Sequence, residues 1–288
     1  MIESYSFVFE KMKPNVIFGP AGRPIDYKGV AYKASSYIAD LGLLAYEYQA
    51  GRGMRIGEAS SKILKEDSNK YDILVSLHAP YYINLSAEDD KKLDMSIGTL
   101  LKAAQVGNWM GAYRIVFHPG YYSKNSSKDA LAISYGAIAT LLEKLEEESL
   151  ENVTFAPETT GKRSQLGNID EIIEMCSSFD NFEPTIDFAH IHARGRGYIQ
   201  KKEDYNCIFS KLEDNLDIDR LHCHFTLIEY TNAGERRHHT LEKADYGPNP
   251  KWLLETFVEN DWKATIICES PLLDKDALLL KALYESLL

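Results

Sequence analysis

The residues in this chain best suited to chemistry are imidazoles and carboxylates placed at the ends of short apolar runs. In Thr185-Ile186-Asp187-Phe188-Ala189-His190 a β-branched run gives way to an aspartate and a histidine spaced i, i+3. Such a pair leaving the carboxyl end of a strand can face one point, and it suits zinc or a similar divalent ion. The same event recurs at His78, His118, Glu158, His222 with His224, and Glu269. More than four ligands imply more than one ion. Ions a few ångströms apart favour phosphoryl transfer, one acidifying a water while the cluster stabilises the leaving oxygen of an in-line displacement. Glu158, central in the series, is the carboxylate best placed to bridge ions and hold the attacking hydroxide. No serine or cysteine nucleophile is needed to account for the histidines.

These residues need elements that bring them to one end. Strand-like runs at 15–19, 43–48, 72–78, 114–118, 153–158, 184–187, 220–226 and 264–269 are each followed by a helical pattern. The helices are expected at 27–41, from 59, at 89–106, 128–147, 169–177, 205–212, 250–259 and 277–287. Eight β-then-α units predict an α/β fold, a (β/α)8 TIM barrel, whose sites are built at the carboxyl ends of several strands. Continuous apolar runs such as Ile73-Leu74-Val75 suit a parallel sheet buried on both faces. A doubly wound open sheet is the alternative, with ligands drawn from fewer strands. No linker interrupts the pattern, so residues 1–288 read as a single domain. All eight histidines are expected at strand ends or in the loops that follow, off the helices.

Composition narrows the classes. The 288 residues are 44% hydrophobic and 26% charged, ordinary for a globular protein. No run is long enough to cross a membrane and no signal pattern opens the chain, so a cytoplasmic protein acting without a membrane is expected. The four cysteines are scattered, which disfavours a disulfide framework or thiolate zinc site. Cys223, between two histidines, reads as a barrel-lining residue.

The segments His78-Ala79-Pro80-Tyr81-Tyr82-Ile83-Asn84-Leu85, His118-Pro119-Gly120, Glu158-Thr159-Thr160-Gly161 and Asp187-Phe188-Ala189-His190, with His222-Cys223-His224, Arg237-His238-His239 and Glu269-Ser270-Pro271, carry a resemblance. The chain resembles the endonuclease IV family (apurinic/apyrimidinic endonuclease family 2), within the xylose-isomerase-like barrels, from about Gly19 to Pro271. The resemblance implies a base excision repair hydrolase that cuts duplex DNA 5′ to abasic sites by metal-bound hydroxide. It implies two or three zinc ions, with manganese or iron as alternatives. It further implies His78, His118, Glu158, Asp187, His190, His222, His238 and Glu269 as metal ligands, Glu158 as the bridge, and Tyr81 and Arg237 near the DNA. One position departs: the family's Asp-Arg-His has Arg236 in place of its aspartate, with Glu235 one residue earlier and able to substitute after a small loop shift. His224 stands where many members carry asparagine and reads as an outer-layer group or alternative ligand. His192 and His239 read as loop residues.

The net charge of −11 argues against nonspecific nucleic-acid binding. Yet eight of the ten arginines fall in expected strand-to-helix loops, where they suit phosphate contacts. Arg52 and Arg55 flank Met54 in a glycine-containing loop, and Met54 could wedge into a stack that lacks a base. A monomer is expected. Two rivals stand beside the endonuclease reading. A sugar isomerase or epimerase of the same superfamily would need one divalent ion held by Glu158, Asp187, Glu269 and His222 or His224. A non-catalytic DNA- or metal-binding module would need no buried bridging carboxylate.

Overall fold

The β-branched and apolar runs form short strands whose residues are nearly all buried. In the computed structural model, which describes residues 14–288 apart from Arg52 and Ala244, eight strands pair in parallel. They are β1 (Val16–Pro20), β2 (Ala45–Gln49), β3 (Leu74–His78), β4 (Ile115–Phe117), β5 (Phe155–Pro157), β6 (Thr185–Asp187), β7 (Leu221–Phe225) and β8 (Ala264–Cys268). One ladder runs β2-β3-β4-β5 and the other β1-β8-β7-β6. Parallel bridges from Ala21 to Glu47 and from Glu158 to Thr185 join the two into a closed barrel. Gly19 permits the first junction, since a Cβ there would lie 1.9 Å from the Ala45 carbonyl oxygen.

The helices outside are α1 (Ser35–Asp40), α2 (Glu58–Lys70), α3 (Asp90–Met110), α4 (Ser127–Glu147), α5 (Ile169–Ser178), α6 (Phe188–Arg194), α7 (Lys202–Glu213), α8 (Pro250–Glu259) and α9 (Asp274–Glu285). Their starts are written locally. Asp89 accepts the Lys92 amide before α3, and Asn168 with Glu171 forms a capping box on α5. Aromatic side chains fill the layer between strands and helices, with Phe188 stacked on Phe209 and tilted against Tyr205. Inside the barrel, Ile17, Ala45 and Ile267 form a small apolar cluster. Two residues further along β2 the interior turns polar with Glu47, and His224 of β7, paired with Ile267, is polar too; both are fully buried.

Three segments differ from the sequence reading. Instead of a helix over 27–41, a single 3-10 turn (Ala31–Lys33) precedes the short α1. The Tyr27 hydroxyl donates to the Lys33 carbonyl and holds the preceding segment as a loop. Helix α6 follows β6 without a break, so His190 and His192 do lie on a helix. The segment after β7 is a hairpin, Leu227–Thr231 against Gly234–His239, with a register shift between Glu229 and Tyr230.

Candidate metal centre

The barrel geometry converts strand ends into a ring of ligand atoms. Glu158, completely buried just past β5, sits at its middle. Its Oε2 lies 3.1 Å from both His78 Nε2 and His118 Nε2. Its Oε1 lies 3.0 Å from His190 Nδ1 and 3.3 Å from His224 Nδ1. Asp187 and Glu269 complete that second side, with Glu269 Oε1 3.4 Å from His224 Nδ1. A third cluster joins His190, Glu235 and His238, with His190 Nε2 3.6 Å and His238 Nε2 3.8 Å from the Glu235 carboxylate. Within each of these three groups the ligand atoms all lie within 4.8 Å of one another, close enough to share an ion.

Outer hydrogen bonds decide which ring nitrogen faces inward. His78 Nδ1 bonds the Ala79 carbonyl at 2.8 Å, His190 Nδ1 the Thr159 carbonyl at 2.9 Å and His238 Nδ1 the Glu269 carbonyl at 3.2 Å. Each contact requires an N–H there and leaves the Nε2 lone pair for an ion. Asp187 works the same way: its Oδ1 accepts the His190 amide at the start of α6, while Oδ2 is left for the site. Four buried atoms in the ring, Glu158 Oε1, Asp187 Oδ2, His224 Nδ1 and His238 Nε2, have no hydrogen-bond partner among the described residues. Buried polar atoms without partners are costly. Divalent cations would satisfy all four, so the donor set fits metal.

Charge follows the same layout. Burial pushes the Glu158 carboxyl up, but His118 and His224 outweigh it and hold the group well below the usual carboxylate range. Asp187 goes the other way, raised chiefly by burial. Burial lowers His190 and His224, yet Asp187 for the first and Glu47 for the second raise both well above ordinary histidine.

The structure brings together His78, His118, Glu158, Asp187, His190, His238 and Glu269. It exchanges the expected places of the β7 histidines. His224 reaches Glu158 and Glu269, while His222 lies deeper with both nitrogens engaged, Nε2 by Glu47 and Nδ1 by Tyr113. His222 therefore does not share the central groups, because its side chain leaves the strand two residues short of them. Glu235 supplies the carboxylate beside His238, where Arg236 points away to pair with Glu229. Glu47 was not anticipated, although an acid within a parallel strand expected to be buried is itself a signal.

Tyr81 stands at the rim, half exposed, with its ring against His78 and His118 and its hydroxyl donating to Gln49. Arg55 and Tyr81 line a cavity of about 480 Å³ that opens onto His238 and Glu269. Arg237 is exposed on the hairpin. Arg52 lies outside the described residues. Beside the site, Arg163, Arg194 and Arg196 line a cavity of about 600 Å³. The described residues contain no helix long and apolar enough to cross a membrane.

A family model described as a xylose isomerase-like TIM barrel matches residues 36–283. An uncharacterized protein of Methanocaldococcus jannaschii is 40% identical over 275 residues, 94% of this chain and 98% of that one. A Mycoplasmopsis agalactiae protein named probable endonuclease 4 is 26% identical over 206 residues, 69% of this chain and 67% of its own. Among solved structures, endonuclease IV from Thermus thermophilus superposes with a TM-score of 0.70 at 18% identity, covering 95% of this chain and all (100%) of that one. A D-tagatose 3-epimerase-like protein superposes with a TM-score of 0.68 at 19% identity, covering 88% and 91%.

Proposed function

The chain belongs to the xylose isomerase-like TIM barrel family, and from that premise we propose that it is a metal-dependent endonuclease that hydrolyses duplex DNA 5′ to abasic sites. The observation that carries this reading is the three adjoining ligand groups, two of them sharing Glu158. A one-ion sugar enzyme leaves His78, His118, His190 and His238 without a task, whereas a phosphodiester in flight has charge on several oxygens to neutralise. Zinc, or manganese or iron, bound there would supply an acidified water and positive charge facing the phosphate. The chain's own residues do the rest. Glu158 holds the groups in register, and the rings of His78, His190 and His238 are each fixed by a backbone carbonyl. Tyr81, Tyr82, Arg55 and Arg237 stand exposed where a duplex would lie, and arginines there position the phosphates. We assign the whole chain to one domain acting as a monomer.

A second reading has its own observation. Glu158, Asp187, His224 and Glu269 form one compact group of two glutamates, an aspartate and a histidine, the set a one-ion sugar isomerase or epimerase would need. One assay separates the two. A duplex carrying a single abasic analogue is incubated with protein before and after chelation, and the cut is mapped. A nick 5′ to the lesion, lost on chelation and restored by zinc or manganese, is the expected result. No nick by metal-loaded protein, together with turnover of a ketose, would establish the sugar enzyme instead.

A further inference from the structure

Beneath the three ligand groups lies a buried set of side chains that the endonuclease reading does not use. Glu47 of β2 is fully buried and accepts from four neighbours. Ser76 Oγ is 2.9 Å from Oε2 and Gln49 Nε2 is 2.9 Å from Oε1. His222 Nε2 is 3.0 Å from Oε2 and His224 Nε2 is 3.1 Å from Oε1. His222 is fixed in turn from its other side, because the Tyr113 hydroxyl lies 2.5 Å from Nδ1. That hydroxyl donates to Nδ1, so Nε2 carries the proton that bonds Glu47. Both Glu47 oxygens and both His222 nitrogens thus have partners.

The exception is the atom pointing up. His224 Nδ1 has no hydrogen-bond partner among the described residues, and it faces Glu158 Oε1 at 3.3 Å and Glu269 Oε1 at 3.4 Å. An imidazole that donates Nε2–H to a carboxylate keeps its lone pair on Nδ1 and is a stronger base there. We propose that Glu47 is a positioning residue, fixing the His224 ring so that Nδ1 serves as the nitrogen ligand of the Glu158–Asp187–Glu269 group. His222, Tyr113, Ser76 and Gln49 hold Glu47 for that purpose. The proposal rests on the metal-centre reading, not on the choice of substrate. The competing arrangement is an ion seated on Glu47, His222 and His224 themselves, whose ligand atoms are close enough for one. It would take His224 Nε2 and oblige Nδ1 to carry the proton, leaving the upper group without a nitrogen.

The test is zinc titration of metal-stripped full-length protein by calorimetry, comparing the unmodified chain with Glu47→Gln and His222→Gln. Glu47→Gln is expected to weaken one ion by about 10- to 100-fold while the others bind as before. His222→Gln, which removes one of four supports, weakens the same ion by less. Excess zinc is expected to return the kcat of Glu47→Gln for abasic DNA, with KM unchanged throughout. Unaltered zinc affinity in folded Glu47→Gln overturns the proposal. So does a loss in His222→Gln as complete as in Glu47→Gln, which would place the ion on Glu47 itself. If Glu47→Gln does not fold, His222→Gln decides alone: a partial loss supports the role and none overturns it. Protein that binds zinc in this pattern yet leaves abasic DNA intact keeps Glu47 in its role and removes only the substrate assignment.

Discussion

Glu158 combines two demands: its two oxygens face different ligand groups, and it is wholly buried. Glu158→Gln keeps the shape but replaces one anionic oxygen by a donor that faces imidazole nitrogens. Nicking is expected to fall by at least about a hundredfold, while binding to abasic duplex, carried by rim residues, persists in a gel-shift measurement. Retained nicking would move the reaction elsewhere. Sequence showed this residue plainly, because a glutamate ending an apolar run amid histidine-ended runs has few other uses. The division of labour between His222 and His224 was not legible. Residues i and i+2 share a face of a strand and differ only in depth, by roughly 6.6 Å. Which of them meets the other ligands depends on how far the neighbouring strands are staggered, and only the closed barrel sets that.

Among the elements, the second strand of the hairpin, Gly234–His239, is the one whose position was least visible in the chain. Gly-Glu-Arg-Arg-His-His has no apolar alternation, so nothing in it announces a strand. Its place comes from long-range contacts. The Glu235 amide donates to the Gly161 carbonyl and the Arg163 amide to that of Ala233, tying the hairpin to the loop after β5. The register shift in the hairpin accompanies a three-residue step from Glu235 to His238, in place of the two-residue step of Asp-Arg-His. Gly234 makes the contact possible. Its φ is +101° and a Cβ there would sit 2.2 Å from the Gly161 carbonyl oxygen. Gly234→Val is expected to cost about 1–3 kcal/mol of stability, read by denaturant unfolding, and to weaken zinc at the His190–Glu235–His238 group. An unchanged zinc titration would mean that the hairpin does not hold a ligand group. Helix α6 was likewise not expected directly after β6, nor was the division of the two Asp187 oxygens between the His190 amide and the site.

At the level of the whole molecule, barrel closure concentrates unlike charges in one small volume, and ions, protons and folding become linked through it. In metal-free protein His190 and His224 are raised well above ordinary histidine, burial opposing and Asp187 and Glu47 respectively prevailing. A raised folded value means that this stabilisation is fully present below the unfolded histidine value of about 6.5 and is lost as pH rises through the folded one. Zinc requires the same rings without that proton, so its affinity runs the opposite way and increases with pH. The stripped protein therefore loses stability over the range in which the loaded protein gains it. Zinc at about a thousand times its dissociation constant adds about 4 kcal/mol, which for a chain of this size is a rise in Tm of about 8–16 °C. That rise is expected to grow steadily as pH increases above the unfolded histidine value of about 6.5, measured by scanning calorimetry with and without chelator. A zinc-induced shift that stays flat or shrinks above that value would show that the buried histidines do not compete for protons with the ions, and would count against the ligand assignment of both rings.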